Sequence, residues 1–196
     1  MDESNLLKEN ASMVNFYFFR NAFDDESIHQ IKELSKNYPV VDGSVSGAID
    51  KSYRNSEITW IPYNTETKWI YEKCKCLAIS ANNAMWNFHI TTVKESLQLS
   101  EYKASQTDEN HGHYDWHMDF GGQSSTRKLS MSIQLTDPGE YEGGDFEFML
   151  HRQIIKAPKT KGTVILFPSY LTHRVTKVTS GTRNSLVTWF HGPPFI

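Results

Sequence analysis

The sequence predicts an α+β fold: two amphipathic helices that support one face of a jelly-roll (double-stranded β-helix) of short antiparallel strands. Three observations predict it. Apolar residues recur at helical spacing in two segments of the N-terminal half. After Ile90 the period changes to two over several short segments. Turn residues separate those segments, as in β-sandwiches and barrels. With 196 residues and no repeat, low-complexity stretch or linker, one domain is expected over 1–196. Its helical support covers about 1–90 and its jelly-roll core about 91–196.

Taken in order, Phe16 to Phe19 is a short apolar run that reads as a strand. Asp24 suits a helix N-cap, with Phe23 and Ile28 placed as a hydrophobic staple. Ile28, Ile31 and Leu34 make one stripe, so Asp25 to Lys36 reads as a helix. Pro39 to Asp50 carries glycine and serine and reads as a loop. A second helix is predicted from about Thr65 to Met85, where Ile70, Cys74, Leu77, Ala78, Ala81 and Met85 share one face. Beyond it, Leu97 and Leu99 alternate with polar residues. Tyr114, Trp116, Met118 and Phe120 alternate with Asp115, His117 and Asp119. Leu129, Met131, Ile133 and Leu135 alternate with Ser130, Ser132 and Gln134. Thr163 to Phe167 is a short buried run, and Arg183, Ser185, Val187 and Trp189 alternate with Asn184, Leu186, Thr188 and Phe190.

Composition narrows the function classes. The formal charge is −3 and no basic stripe is visible, so a nucleic-acid partner is not expected. Met1 to Asn10 is polar and lacks the apolar run of a secretory signal. No stretch approaches the roughly 18 apolar residues of a membrane span, so no membrane partner is expected either. Cys74 and Cys76 are too close to staple distant parts; on a helix, Cys74 would pack inside and Cys76 lie near the surface. A cytoplasmic location follows as the expectation.

The chemistry concentrates late in the chain. His117 and Asp119 stand at i and i+2, which on a strand puts both side chains on one face. With His173 they form two imidazoles and a carboxylate, the ligand set of a non-haem iron(II) site with open coordination positions. Arg183, ten positions after His173, offers a planar fork suited to a carboxylate. Ser185, on the same strand face, adds a hydroxyl.

His117-x-Asp119, His173 and Arg183-x-Ser185 resemble the iron(II)- and 2-oxoglutarate-dependent dioxygenases, most closely the prolyl 4-hydroxylase-like branch. The stretch from Tyr141 to Phe148 with its Gly143-Gly144 pair, and the segment Gly162 to Ser169, are similar to the same branch. The resemblance runs roughly from Leu97 to Phe190. It implies hydroxylation of a C–H bond, on a peptidyl proline in a peptide or protein substrate. The co-substrates would be 2-oxoglutarate and dioxygen, the metal Fe(II), the products succinate and carbon dioxide, and ascorbate a supportive reductant. It implies that His117, Asp119 and His173 hold the metal and that Arg183 and Ser185 hold the far carboxylate of 2-oxoglutarate. It further implies a co-substrate contact for Tyr102 and substrate contacts for Arg127 and Trp189. Asp119 favours hydroxylation over halogenation, because halogenating relatives lack that carboxylate. The polar stretch Ser105 to Asn110 departs from the pattern, reads as a loop insertion, and sets Tyr102 further from His117 than the family does.

Other readings stand beside these. Asp115-x-His117 is a rival pairing, and Arg183 or Trp189 could be ordinary strand residues. His111 and His113 read as loop residues near the mouth of a cleft. His29, His89, His151 and His191 read as surface or packing residues. Gly143-Gly144 reads as a turn needing positive φ. Tyr53, Arg54 and Trp60 are candidates for building a peptide groove. The same chemistry could act on a free amino acid, another small molecule or an alkylated base. A non-catalytic metal-binding β-sandwich would explain the three ligands but give Arg183 no task.

Overall fold

The first helix, α1 (Asp25–Ser35), begins where its sequence says it should. The Asp24 carboxylate accepts a hydrogen bond from the Ser27 N–H at 2.9 Å, while Phe23, Ile28 and Ile31 are buried. The second, α2 (Lys68–Met85), starts a few residues later than the predicted Thr65. The Asn64 side chain accepts from the Glu66 and Thr67 N–H groups, closing a turn that occupies those residues first. Cys74 is buried in this helix and Cys76 exposed, and burial pushes the Cys74 thiol up to about 12. The computed structural model describes residues 15–44, 47–107 and 110–194; the polar stretch 1–10, and Asp108 and Glu109 of the loop insertion, lie outside them.

The strands are β1 (Tyr17–Phe19), β2 (Val40–Asp42), β3 (Arg54–Asn55), β4 (Glu57–Ile61), β5 (Leu97–Lys103), β6 (His113–His117), β7 (Arg127–Gln134), β8 (Tyr141–Gly143), β9 (Phe146–Leu150), β10 (Gln153–Lys156), β11 (Val164–Pro168), β12 (His173–Val175) and β13 (Val178–His191). The larger sheet runs β1-β11-β7-β13-β5-β4-β2, with β8 also paired to β13. The smaller runs β10-β9-β12-β6-β3. All the pairings are antiparallel, and the architecture is the expected jelly-roll with two helices on one face.

The N-terminal half is not helices alone. It contributes β1 to β4, and β2 forms inside the segment 39–50 expected as loop. The three β2 residues are all exposed. Backbone pairing with β4, not side-chain burial, makes this edge strand, so no alternation marked it.

The large sheet has two different faces. Leu97, Leu99, Leu129, Met131, Ile133, Leu186 and Phe190 point to one side and pack with Ile70, Cys74 and Ala78 of α2. The intervening residues of β5, β7 and β13 point toward the small sheet, and several of them, including Tyr102, Ser132, Arg183 and Trp189, line a cavity of about 1090 Å³. Strand β7 is buried on both faces, so its serines and Gln134 face an enclosed polar interior instead of solvent. Among the described residues, no helix is long and apolar enough to cross a membrane.

Candidate active site

The two histidines meet because their strands pair. His117 ends β6 and His173 begins β12, and they are direct cross-strand partners. Their rings lie 4.1 Å apart between centroids. Asp119 lies just past the end of β6, in a bend held by Asp119 and Phe120 N–H groups that both donate to the Ser169 carbonyl at 3.0 Å. The predicted strand therefore stops at His117, with Met118 turned outward and 53% exposed, yet the Asp119 carboxylate still faces both rings. Its oxygens stand 3.9 Å from His117 Nε2 and 3.6 Å from His173 Nε2. One donor atom from each residue lies within 4.8 Å of the others.

Each imidazole is held at its other nitrogen. His117 Nδ1 is 2.7 Å from the Asp115 carbonyl and His173 Nδ1 is 2.8 Å from the Leu171 carbonyl. A carbonyl can only accept, so each Nδ1–H donates and each Nε2 is left facing the Asp119 carboxylate. Burial, followed by the neighbouring His173, holds the His117 pKa down to about 3, so its ring is neutral at ordinary pH. Burial alone would raise the Asp119 pKa; His173, His117, the Ser130 hydroxyl and Arg127 outweigh it and keep the carboxyl ionised. Two imidazole nitrogens and one carboxylate oxygen suit a divalent cation. Phe146 and Phe167 pack edge-on against His173, and Tyr114 stacks on His117 with 3.5 Å between ring centroids. Asp115, the rival to Asp119, is exposed and outside the cavity wall.

Deeper in the same cavity is Arg183, only 1% exposed. It donates to the Ser185 hydroxyl at 3.3 Å and to the Gln134 side-chain carbonyl at 3.0 Å. Both partners are neutral, and among the described residues its Nε–H meets no acceptor. A buried guanidinium without a counter-charge costs several kcal/mol unless an anion completes it. Gly144, at φ +56°, makes room for it: a Cβ there would sit 3.0 Å from Arg183 Cδ. Gly143 also has positive φ, as the turn required.

Tyr102 is the cross-strand partner of Arg183 on β5, with its ring 5.5 Å below the guanidinium carbon. The 104–112 connection returns to β5 through the Gly112 N–H, which donates to the Lys103 carbonyl, so the insertion leaves Tyr102 in the cavity wall. Arg127 and Trp189 also line the cavity, stacked with 3.8 Å between the guanidinium carbon and the ring centroid. Arg127 forms a two-pronged ion pair with Glu95 and donates to the Asp119 carbonyl. His191, expected as an ordinary packing residue, joins this group through Glu95 and Thr126. His113, expected in a loop, begins β6, and both it and His111 are buried outside the cavity wall.

Residues 97–191 match the model of the 2OG-Fe(II) oxygenase superfamily. Over that stretch, just under half of its length, the chain is similar to that superfamily. A PKHD-type hydroxylase of Synechococcus sp. (strain CC9311) is 38% identical over 110 residues, which are 54% of this chain and 49% of that protein. The chain thus spans about half the length of that curated relative. Among solved structures, a Pseudomonas putida prolyl-4-hydroxylase matches with a TM-score of 0.72 at 14% identity, over 93% of this chain and 98% of the other. A Trichoplax adhaerens prolyl hydroxylase, in complex with a peptide fragment of the hypoxia inducible factor oxygen degradation domain, matches with a TM-score of 0.75 at 16% identity, over 97% and 94%. At such identities the likeness establishes the prolyl hydroxylase-like oxygenase fold alone.

Three neighbours of the cavity residues were not singled out by the sequence: Tyr114 on His117, Gln134 on Arg183, and Glu95 on Arg127. Gln134 carried a faint signal, since it continues the polar face of β7, and register sets it opposite Ser185. Tyr114 stands three positions before His117 on β6, where simple strand alternation would set the two on opposite faces, and Glu95 acts through a residue 32 positions away, so no local pattern records either contact.

Proposed function

We propose that this chain is an iron(II)- and 2-oxoglutarate-dependent dioxygenase that hydroxylates a prolyl side chain in a peptide or protein. One observation carries the reading: Arg183 is a buried cation with an unused Nε–H, opening on the cavity that holds the His117, Asp119 and His173 donor atoms. A dicarboxylate that reaches from those donors to Arg183 would supply the missing charge. A purely metal-binding module leaves that guanidinium without a task. The PKHD-type hydroxylase and prolyl hydroxylase relatives support hydroxylation, and the peptide complex of one supports a peptide substrate.

In this reading His117, Asp119 and His173 hold Fe(II), which when bound supplies dioxygen activation coupled to decarboxylation of 2-oxoglutarate to succinate and carbon dioxide. The Asp115 and Leu171 carbonyls orient the two imidazoles so that both Nε2 lone pairs face inward. Arg183, steadied by Gln134 and Ser185, grips the far carboxylate in a site closed to water. Tyr102 forms the wall beside it, and Arg127 with Trp189 shapes the substrate side of the cavity.

The test is succinate release from 2-oxoglutarate with Fe(II) and ascorbate, with mass spectrometry of proline-containing peptides for a gain of one oxygen. Binding of metal without binding or turnover of 2-oxoglutarate would remove the enzyme reading. Succinate formation stimulated by a small molecule and by no peptide would redirect the substrate.

A further inference from the structure

The cavity wall contains three arginines and, among the described residues, one carboxylate. Arg183 and Asp119 belong to the chemistry already described, and Arg127 is neutralised by Glu95 behind the wall. Arg54 is left over. It comes from β3, at the edge of the small sheet, and is 6% exposed. Its Nε–H donates to the Ser56 hydroxyl at 3.0 Å and its first terminal nitrogen to the Ser44 carbonyl at 3.2 Å. Both acceptors are uncharged. Among the described residues its second terminal nitrogen is buried and meets no acceptor. The guanidinium lies over Tyr114 at 4.5 Å, and Tyr114 in turn stacks on His117. Arg54 is thus held, through one aromatic ring, beside the histidine of the proposed reaction centre.

Charge balance makes this informative. In the proposed loaded state, two positive charges on Fe(II) and one on Arg183 meet one negative charge on Asp119 and two on 2-oxoglutarate. That set is neutral before Arg54 is counted. A buried cation stacked on a ring and paired with two neutral oxygens remains short of a counter-charge. A peptide carbonyl could fill the empty hydrogen bond but would leave the charge; a carboxylate answers both.

Resting on the reading above, we propose that Arg54 is a specificity-determining residue that receives a carboxylate of the substrate. An acidic side chain near the target residue, a free C-terminus and a free amino acid all present that group, and the structure assigns Arg54 to the chemistry they share.

Three cavity-lining tryptophans, Trp60, Trp116 and Trp189, supply a binding signal independent of turnover. The full chain is titrated by tryptophan fluorescence with three matched pairs. These are acetyl-Ala-Pro-Glu-Ala-amide against its Gln counterpart, acetyl-Ala-Ala-Pro as free acid against amide, and L-proline against L-prolinamide. Each titration is run with Mn(II) and 2-oxoglutarate and again without them. At least one pair should favour the acid by about tenfold or more, the scale of one charge-assisted hydrogen bond. The pair that does so identifies the source of the carboxylate. In Arg54→Gln the ratio should fall to near one, and in Arg54→Lys it should be partly kept. If no pair favours the acid in the natural protein, or if the preference survives in Arg54→Gln, the assignment is overturned. The first of those outcomes needs no variant, so a folding defect cannot hide it. Failure of 2-oxoglutarate to bind would instead strike the proposed function, while the titrations without it still decide the role of Arg54.

Discussion

The two faces of the large sheet use the same strands for opposite ends. On the helix side, Leu129, Met131, Ile133 and Leu186 are buried apolar side chains filling a core. On the cavity side, one residue over in each strand, Ser130, Ser132, Gln134, Arg183 and Ser185 are just as buried but polar. The first face gains free energy from apolar area removed from water. The second gives some of it up, because desolvated polar groups and an unbalanced guanidinium are costly. The difference teaches that stability and chemistry in this fold are separated by a single residue step, not by distance along the chain.

Substitutions can break that separation, and the largest effect is expected at the metal donors. His173→Ala should abolish succinate release, measured with Fe(II) in excess, while the unfolding midpoint stays near that of the natural protein; residual turnover would remove His173 from the donor set. Next, on the opposite face, Met131→Ala should cost about 2–5 kcal/mol in denaturant unfolding. Its KM for 2-oxoglutarate should not change, and a rise would show that the two faces are coupled. Arg183→Met sharpens the contrast. It should weaken 2-oxoglutarate binding by roughly a hundredfold or more, the scale of a broken buried ion pair. In the ligand-free protein it should also raise the thermal midpoint, because a buried unpaired charge is gone; a lowered midpoint would mean the guanidinium is satisfied without an anion. The smallest effect is expected for Gln134→Leu, which removes one acceptor from Arg183. Affinity for 2-oxoglutarate should drop about tenfold, in line with one lost hydrogen bond to a charged group, and titration calorimetry would read it.

The elements that were legible early share a short-range cause. The Asp24 cap, the Ile28–Ile31 stripe and the alternation in β7 and β13 depend on neighbours a few positions away, and the structure places them as read. Strand β2 was not legible, because its exposed residues are held by backbone bonds to β4. The alternation from Tyr114 to Phe120 predicts a longer β6 than forms, because the Ser169 carbonyl takes the Asp119 and Phe120 N–H groups and bends the chain after His117.

By itself the sequence determined the helices, the period-two strands, the superfamily motif and the residue types capable of its chemistry. Each is written in local spacing, where side-chain periodicity and capping operate. Only the tertiary structure decided that the polar face of the large sheet encloses a cavity. Only it set His117 against His173, and left Arg54 and Arg183 buried without carboxylate partners among the described residues. Those outcomes depend on which strands pair and in what register, and that is set by the simultaneous burial of residues far apart in the chain.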